Sequence, residues 1–409
     1  MGVLAGALVP LFFPTGPPTA AAAAAARDEG PGPAMVTSHS QRVESLACIG
    51  DLDGSARPPV LLIPGTGQSP EKNWGPTYLP VLRERGHSVC SVRLPVNGTR
   101  DVQANAEYVA TAIRTMARRT SRPISTIGHS QGALLPMAAL RTWPDLAAHV
   151  DDVIGLAGVY DLGSQDLEER CEARCVPVLH QLAAGSAYLR AIARRPLPAG
   201  PSFTNIAAFG DETVTPQPFA NLQPGATSMT VQSVCPRHQI PAPEHAMIIG
   251  DAVALALTLD ALDHPGPAAP GRIDPATCAE RQYPEFDLLA FLGEALGPRP
   301  KVADPVAKEP ALYCRHRPDC RKPRLRGFVL GQPRITVGRQ RVTLRATVEL
   351  PGRARLRLGG RKVVATVQPG PLVLTIARPA RRARLFVETR PTYYTAWAAE
   401  ARRWVSAAR

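Results

Sequence analysis

Through the first three quarters of the chain, short aliphatic runs alternate with stretches of helical period. Val60–Ile63, the Val89–Val92 part of His87–Leu94, the run opening Ile124–Leu135, Val150–Ala157, Thr204–Phe209 and Met229–Val234 read as buried strands. Between them Tyr78–Arg85 is amphipathic. Asp101–Arg119 sets Val102, Ala106, Val109, Ile113 and Met116 on one helical face. This alternation predicts an α/β fold, a doubly wound, mostly parallel sheet with helices on both faces, whose site lies at the carboxyl ends of the strands. Thr37–Cys48 reads as a helix or arm ahead of the domain. Between Asp161 and Pro201 the pattern lapses into an insertion, 161–201, with Leu179–Arg194 as an apolar-faced helix. It reads equally as a cover over the site or as a surface excursion.

From Arg326 onward the period changes to two. Gln340–Leu350 places Val342, Leu344, Ala346, Val348 and Leu350 on one face, and Ala354–Leu358 repeats the alternation. Gly359-Gly360 predicts a hairpin turn into Val363–Val367, with Leu372–Ala377 and Leu385–Thr389 following. A helix-like Ala396–Ala407 closes a small C-terminal all-β module, 326–409, beyond a main domain of 37–320.

Charge sharpens that boundary. The 409 residues carry +13, yet 321–409 hold 21 Lys and Arg against Glu349, Glu388 and Glu400, or 21 − 3 = +18. Residues 1–320 are therefore 13 − 18 = −5. Arginines on a strand face often do no more than keep an edge soluble. An excess of this size points instead to docking on an anionic cell surface or membrane surface. Nucleic acid is the weaker partner, because Phe328, Phe386, Tyr393 and Tyr394 are not interleaved for base stacking.

Residues 1–30 read as a secretory leader: apolar Val3–Phe13, a break at Pro14–Pro18, and small residues over Ala20–Ala26. The run is too short to span a bilayer. No Lys or Arg precedes it, which leaves an upstream start or a low-complexity leader as alternatives. Secretion to the extracellular side is the expectation, and an even set of eight cysteines suits it.

At the centre of Ile124–Leu135, Gly128-His129-Ser130-Gln131-Gly132 fits G-x-S-x-G, a nucleophile elbow set between a strand and a helix. The competing reading is a serine that merely caps a helix. A serine nucleophile needs a base and an acid in the order Ser, Asp or Glu, His. Asp211 follows the strand-like Asn205–Phe209 and the turn residue Gly210, which suits the acid, and adjacent Glu212 would point elsewhere. His245 sits in a loop after the last strand and suits the base. His238 is its rival, but beside Arg237 it has no orienting partner in the sequence. His129 adjoins the serine and cannot reach it as a base. Pro64-Gly65-Thr66-Gly67 ends an early strand, where Thr66 could donate its N–H and hydroxyl to an oxyanion, joined by the Gln131 N–H. No His-x-x-x-His or Cys-x-x-Cys pattern occurs, so neither metal nor cofactor is expected.

Val60–Gln68, Asn105–Tyr108, Ser130–Gly132, Thr204-Asn205, Gly210–Glu212 with Pro216-Gln217, and Val234-Cys235 leading to His245-Ala246 together resemble the Candida antarctica lipase B family of α/β-hydrolases, in the same order and with similar spacing. The resemblance covers roughly Cys48 to Cys278. It implies a secreted serine hydrolase of lipid or other carboxylic esters, with Ser130, Asp211 and His245 as triad and Thr66 and Gln131 as oxyanion hole. It also implies disulfides Cys48–Cys90 and Cys235–Cys278, leaving Cys171–Cys175 and Cys314–Cys320 as local pairs. The family has Trp where this chain has His129, and an acidic residue near its site is replaced by Tyr160, with Asp161 alongside. The same triad would serve an acyltransferase or an amidase or peptidase. A non-catalytic protein that binds surfaces through its basic module has no need of the triad.

Overall fold

The computed structural model describes residues 32–55, 57–167, 175–296, 301–313, 325–326, 330–348, 352–367, 370–391 and 398–406. The leader at 1–30 and Cys171, Cys314 and Cys320 lie outside them. In chain order come β1 (Gly32–Pro33), α1 (His39–Glu44), β2 (Leu46–Ile49), β3 (Val60–Ile63), α2 (Pro70–Trp74), α3 (Tyr78–Glu84) and β4 (Val89–Val92). Then follow α4 (Val102–Thr120), β5 (Ile124–His129), α5 (Gln131–Thr142), β6 (Val150–Leu156), α6 (Pro177–Leu182), α7 (Ala187–Ala193), β7 (Ser202–Ala207) and β8 (Thr227–Thr230). The main unit continues with α8 (Val231–Val234), α9 (Glu244–Met247), α10 (Ala252–Asp263) and α11 (Leu288–Leu296).

Strands β2-β4-β3-β5-β6-β7-β8 form a seven-stranded sheet, parallel except where β2 runs antiparallel to β4. Every residue of β3 is buried, because alternate side chains serve opposite faces: Leu61 and Ile63 join one apolar cluster, Val60 and Leu62 the other. Helix α4 covers the first face through the five positions its period sets together. The Asp101 carboxylate caps it, accepting from Gln103 N–H at 2.8 Å. The second face is covered largely by α3 and α10.

In the main unit two elements differ from the sequence reading. The run Met229–Val234 is strand only as far as Thr230. There the Thr230 hydroxyl accepts from Ser233 N–H at 3.1 Å and the Ser233 hydroxyl reaches back, a capping box that turns the chain into α8. Leu179–Arg194 is two helices, α6 and α7. Gly185 at φ +73° breaks the run, and Ser186 restarts it by accepting from Leu189 N–H at 3.1 Å.

The C-terminal part contains β9 (Leu325–Arg326), β10 (Leu330–Val337), β11 (Arg341–Val348), β12 (Gly352–Leu358), β13 (Arg361–Val367), β14 (Gly370–Ala377), β15 (Ala383–Pro391) and β16 (Ala398–Val405). One sheet runs β1-β9-β16-β15-β12-β13 and the other β10-β11-β14, all antiparallel apart from a single parallel pairing of β16 with β9. Val342, Leu344, Leu356, Leu374, Leu385 and Val387 lie in a core of their own between the sheets. Gly359 and Gly360, at φ +55° and +81°, make the tight β12–β13 turn. The expected closing helix at 396–407 is instead strand β16, paired along β15. Its alanines favour helix by only tenths of a kcal/mol per residue, less than a sheet edge and the burial of Val405 supply.

Candidate active site

Ser130 stands at the carboxyl end of the central strand β5, at φ +56° and ψ −124°. A side-chain-bearing residue in such a conformation costs about 1–3 kcal/mol, so the surroundings must hold it. Its N–H donates to Leu156 O at 2.8 Å. The flanking glycines are sterically required. A Cβ on Gly128 would strike the backbone of Gly132, and one on Gly132 would strike the carbonyl of Ile63.

Asp211 follows β7, and His245 lies in α9, in the connection beyond β8. The structure brings both to Ser130: His245 Nε2 is 3.0 Å from Ser130 Oγ, and His245 Nδ1 is 2.8 Å from Asp211 Oδ2. The Asp211 side chain is fully buried. Its Oδ1 accepts from Thr213 and Val214 N–H, both at 2.8 Å, leaving Oδ2 for the imidazole. Glu212 is exposed and leaves the imidazole to Asp211. It accepts from the His245 backbone N–H at 3.4 Å, while Glu244 accepts from Gly210 N–H at 2.9 Å. The two loops are thus cross-tied. Burial, with Glu212 and Asp211 nearby, raises Glu244 above the ordinary carboxyl range.

Thr66 follows β3. The Gln131 side-chain amide donates to Thr66 Oγ1 at 3.2 Å and to Gly98 O at 3.0 Å, while Asn105 Nδ2 donates to Gln131 Oε1 at 2.9 Å. Because the Thr66 oxygen accepts there, its own hydrogen can turn toward a ligand. Gly65 N–H is taken by Asn73 Oδ1 at 2.8 Å and Gly67 N–H by Asn97 O at 2.8 Å. The Gln131 N–H opens α5, where helix donors have no partner within the helix. Asn73 and Asn105 are supports that sequence reasoning did not assign. An amide near a glycine loop was the only signal for Asn73.

His129 is buried. Its Nε2 lies 2.8 Å from His245 O, and the two rings are 5.1 Å apart. Burial, then the neighbouring His245, pushes its pKa down to about 3. His238 has a partner that the sequence did not reveal: its Nε2 meets Asp251 Oδ2 at 2.5 Å, in the interior and apart from Ser130. Tyr160 is fully buried, which raises its pKa, and Asp161 is held by Arg141 at 2.6 and 3.0 Å and by Gln223 at 2.9 Å. Disulfides join Cys48 to Cys90 and Cys235 to Cys278, and Cys175 is also disulfide-bonded. Among the described residues, no cluster of three or more His, Cys, Asp or Glu is arranged to hold a metal.

No family model matches the chain. It resembles lipase B of Pseudozyma antarctica, with 28% identity over 192 residues, which are 46% of this chain and 56% of that protein. The chain thus spans little more than half the length of that relative. It superposes on the crystal structure of Aspergillus fumigatus lipase B with a TM-score of 0.60 and 22% identity, covering 69% of this chain and 72% of that one. The fold is that of the α/β-hydrolases, with a β module added at the C-terminus.

Proposed function

We propose that this chain is a secreted carboxylic-ester hydrolase, of lipase or esterase type, that works through an acyl-enzyme. Ser130 Oγ attacks the ester carbonyl and passes its proton to His245 Nε2, and buried Asp211 stabilises the imidazolium. The carbonyl oxygen, now an anion, receives the Thr66 N–H and hydroxyl and the Gln131 N–H. As the carbonyl re-forms, His245 returns the proton to the departing alcohol. Water then enters by the same route and releases the acid.

The observation that carries this reading is the unbroken relay from Asp211 through His245 to Ser130, at 2.8 and 3.0 Å. Resemblance to lipase B supports ester or lipid substrates. In this reading 1–30 is a cleaved leader, 37–320 the catalytic domain with insertion 161–201, and 326–409 a module that attaches the enzyme to an anionic surface. The disulfides suit an oxidising compartment.

Nitrophenyl esters of short and long acyl chain test the activity. The wild type should hydrolyse at least one of them and Ser130→Ala none. Failure of the wild type on the whole series would refute it.

A further inference from the structure

The outer face of the larger C-terminal sheet is built against the usual rule for strand pairs. Along β12, Ala354, Leu356 and Leu358 are buried in the module core, while Arg353, Arg355 and Arg357 occupy the opposite face. The register sets Lys362 of β13 directly across from Arg357. The Phe386 ring of β15 lies under the guanidinium groups of Arg357 and Arg384 at 4.9 and 5.7 Å. Like charges placed directly across a strand pair are destabilising. Glu388, an acid on this face, is already engaged by Arg355 at 2.9 Å and Arg357 at 2.6 Å. A face that gives up stability in this way is expected where a ligand supplies the missing charge.

The geometry also indicates the ligand's shape. Successive outward residues on a strand are roughly 7 Å apart and neighbouring strands roughly 5 Å, so the cations form a broad array rather than a groove. A groove grips a linear polyanion, whereas an array matches a surface of headgroups. Phe386 lies beneath guanidinium groups and is not offered for base stacking. We infer that the Arg353–Lys362–Arg384 face docks the protein on an anionic phospholipid surface. This rests on the attachment role proposed for the module and not on the esterase chemistry.

The test is co-sedimentation of the full chain with vesicles of phosphatidylcholine alone, or mixed with phosphatidylglycerol, at low and high salt. The wild type should bind only the anionic vesicles and lose them as salt rises. Arg353→Gln, Lys362→Gln and Arg384→Gln together leave the arginines that hold Glu388 untouched. Each should weaken binding about fivefold and the three together roughly 100-fold. Turnover of a soluble ester should not change, and the melting temperature should stay within a few degrees of the wild type, relief of like charge offsetting the lost Arg384–Phe386 contact. Anionic-vesicle binding that survives the three substitutions would overturn this face while leaving attachment by the module standing. A wild type that binds no vesicle, or binds duplex DNA in their place, would overturn docking on lipid altogether.

Discussion

The Nε2–H of His129 donates to the backbone carbonyl of His245 at 2.8 Å, so the residue before the candidate nucleophile steadies the candidate base. A carbonyl can only accept, which fixes the proton on Nε2 and leaves Nδ1 bare, buried and without a partner among the described residues. With Glu212 on the His245 N–H, the base is held at both ends of its backbone while its ring bridges Asp211 and Ser130. His129→Phe keeps a ring and loses the donor. It should lower kcat about 10- to 100-fold, the scale of a displaced catalytic group, with little change in KM. His129→Gln retains an N–H and should recover part of the loss. Steady-state kinetics on a soluble ester check both.

The same histidine makes stability depend on pH. Its folded pKa, about 3, lies below the ordinary 6.5, so between those values the unfolded chain binds the extra proton. Its contribution is intact above pH 6.5 and declines as pH falls toward 3. Between pH 6.5 and 5 the loss is about 2 kcal/mol. Asp152, which burial raises to about 6, acts in the opposite sense between 3.8 and 6, holding a proton in the folded state. Asp152 is common to wild type and His129→Gln and cancels between them. Denaturant unfolding at pH 7 and pH 5 should show the wild type losing about 2 kcal/mol more than the variant.

His238 and His245 should separate cleanly. His238 pairs with Asp251, which also caps α10 by accepting from Ala254 N–H at 2.9 Å. Burial raises Asp251, and its bond to His238 opposes that shift. His238→Ala strands a buried acid and should cost about 3–5 kcal/mol of stability, with turnover per folded molecule unchanged. His245→Ala should instead lower kcat per folded molecule on the order of 10⁶-fold, whatever stability the stranded Asp211 carboxylate costs. Thermal melts beside kinetics on both variants decide it.

The two disulfides close segments with sequence separations of 42 and 43. Chain-entropy reasoning assigns about 4 kcal/mol to each. Cys48→Ala with Cys90→Ala should lower the unfolding free energy by that amount, measured by urea titration.

What the sequence revealed and what it hid divide along physical lines. The elbow was legible because its glycines answer to backbone contacts within one strand-turn-helix. Asp211 and His245 were legible because each follows a strand in a fixed chain order. The partner of His238 was not, since Asp251 comes within 2.5 Å only through tertiary packing. Strand β16 was read as helix because local alanine propensity carries no information about the edge of β15. The break between α6 and α7 falls at Gly185, at φ +73°, inside an apolar period that by itself reads as one helix.

The central claim, that Ser130 is a nucleophile activated by His245, is tested most directly by fluorophosphonate labelling followed by peptide mass spectrometry. Wild type should take up one adduct on Ser130, His245→Ala should label far more slowly, and Ser130→Ala should not label. A wild type that stays unmodified, or an adduct that persists in Ser130→Ala, would contradict it.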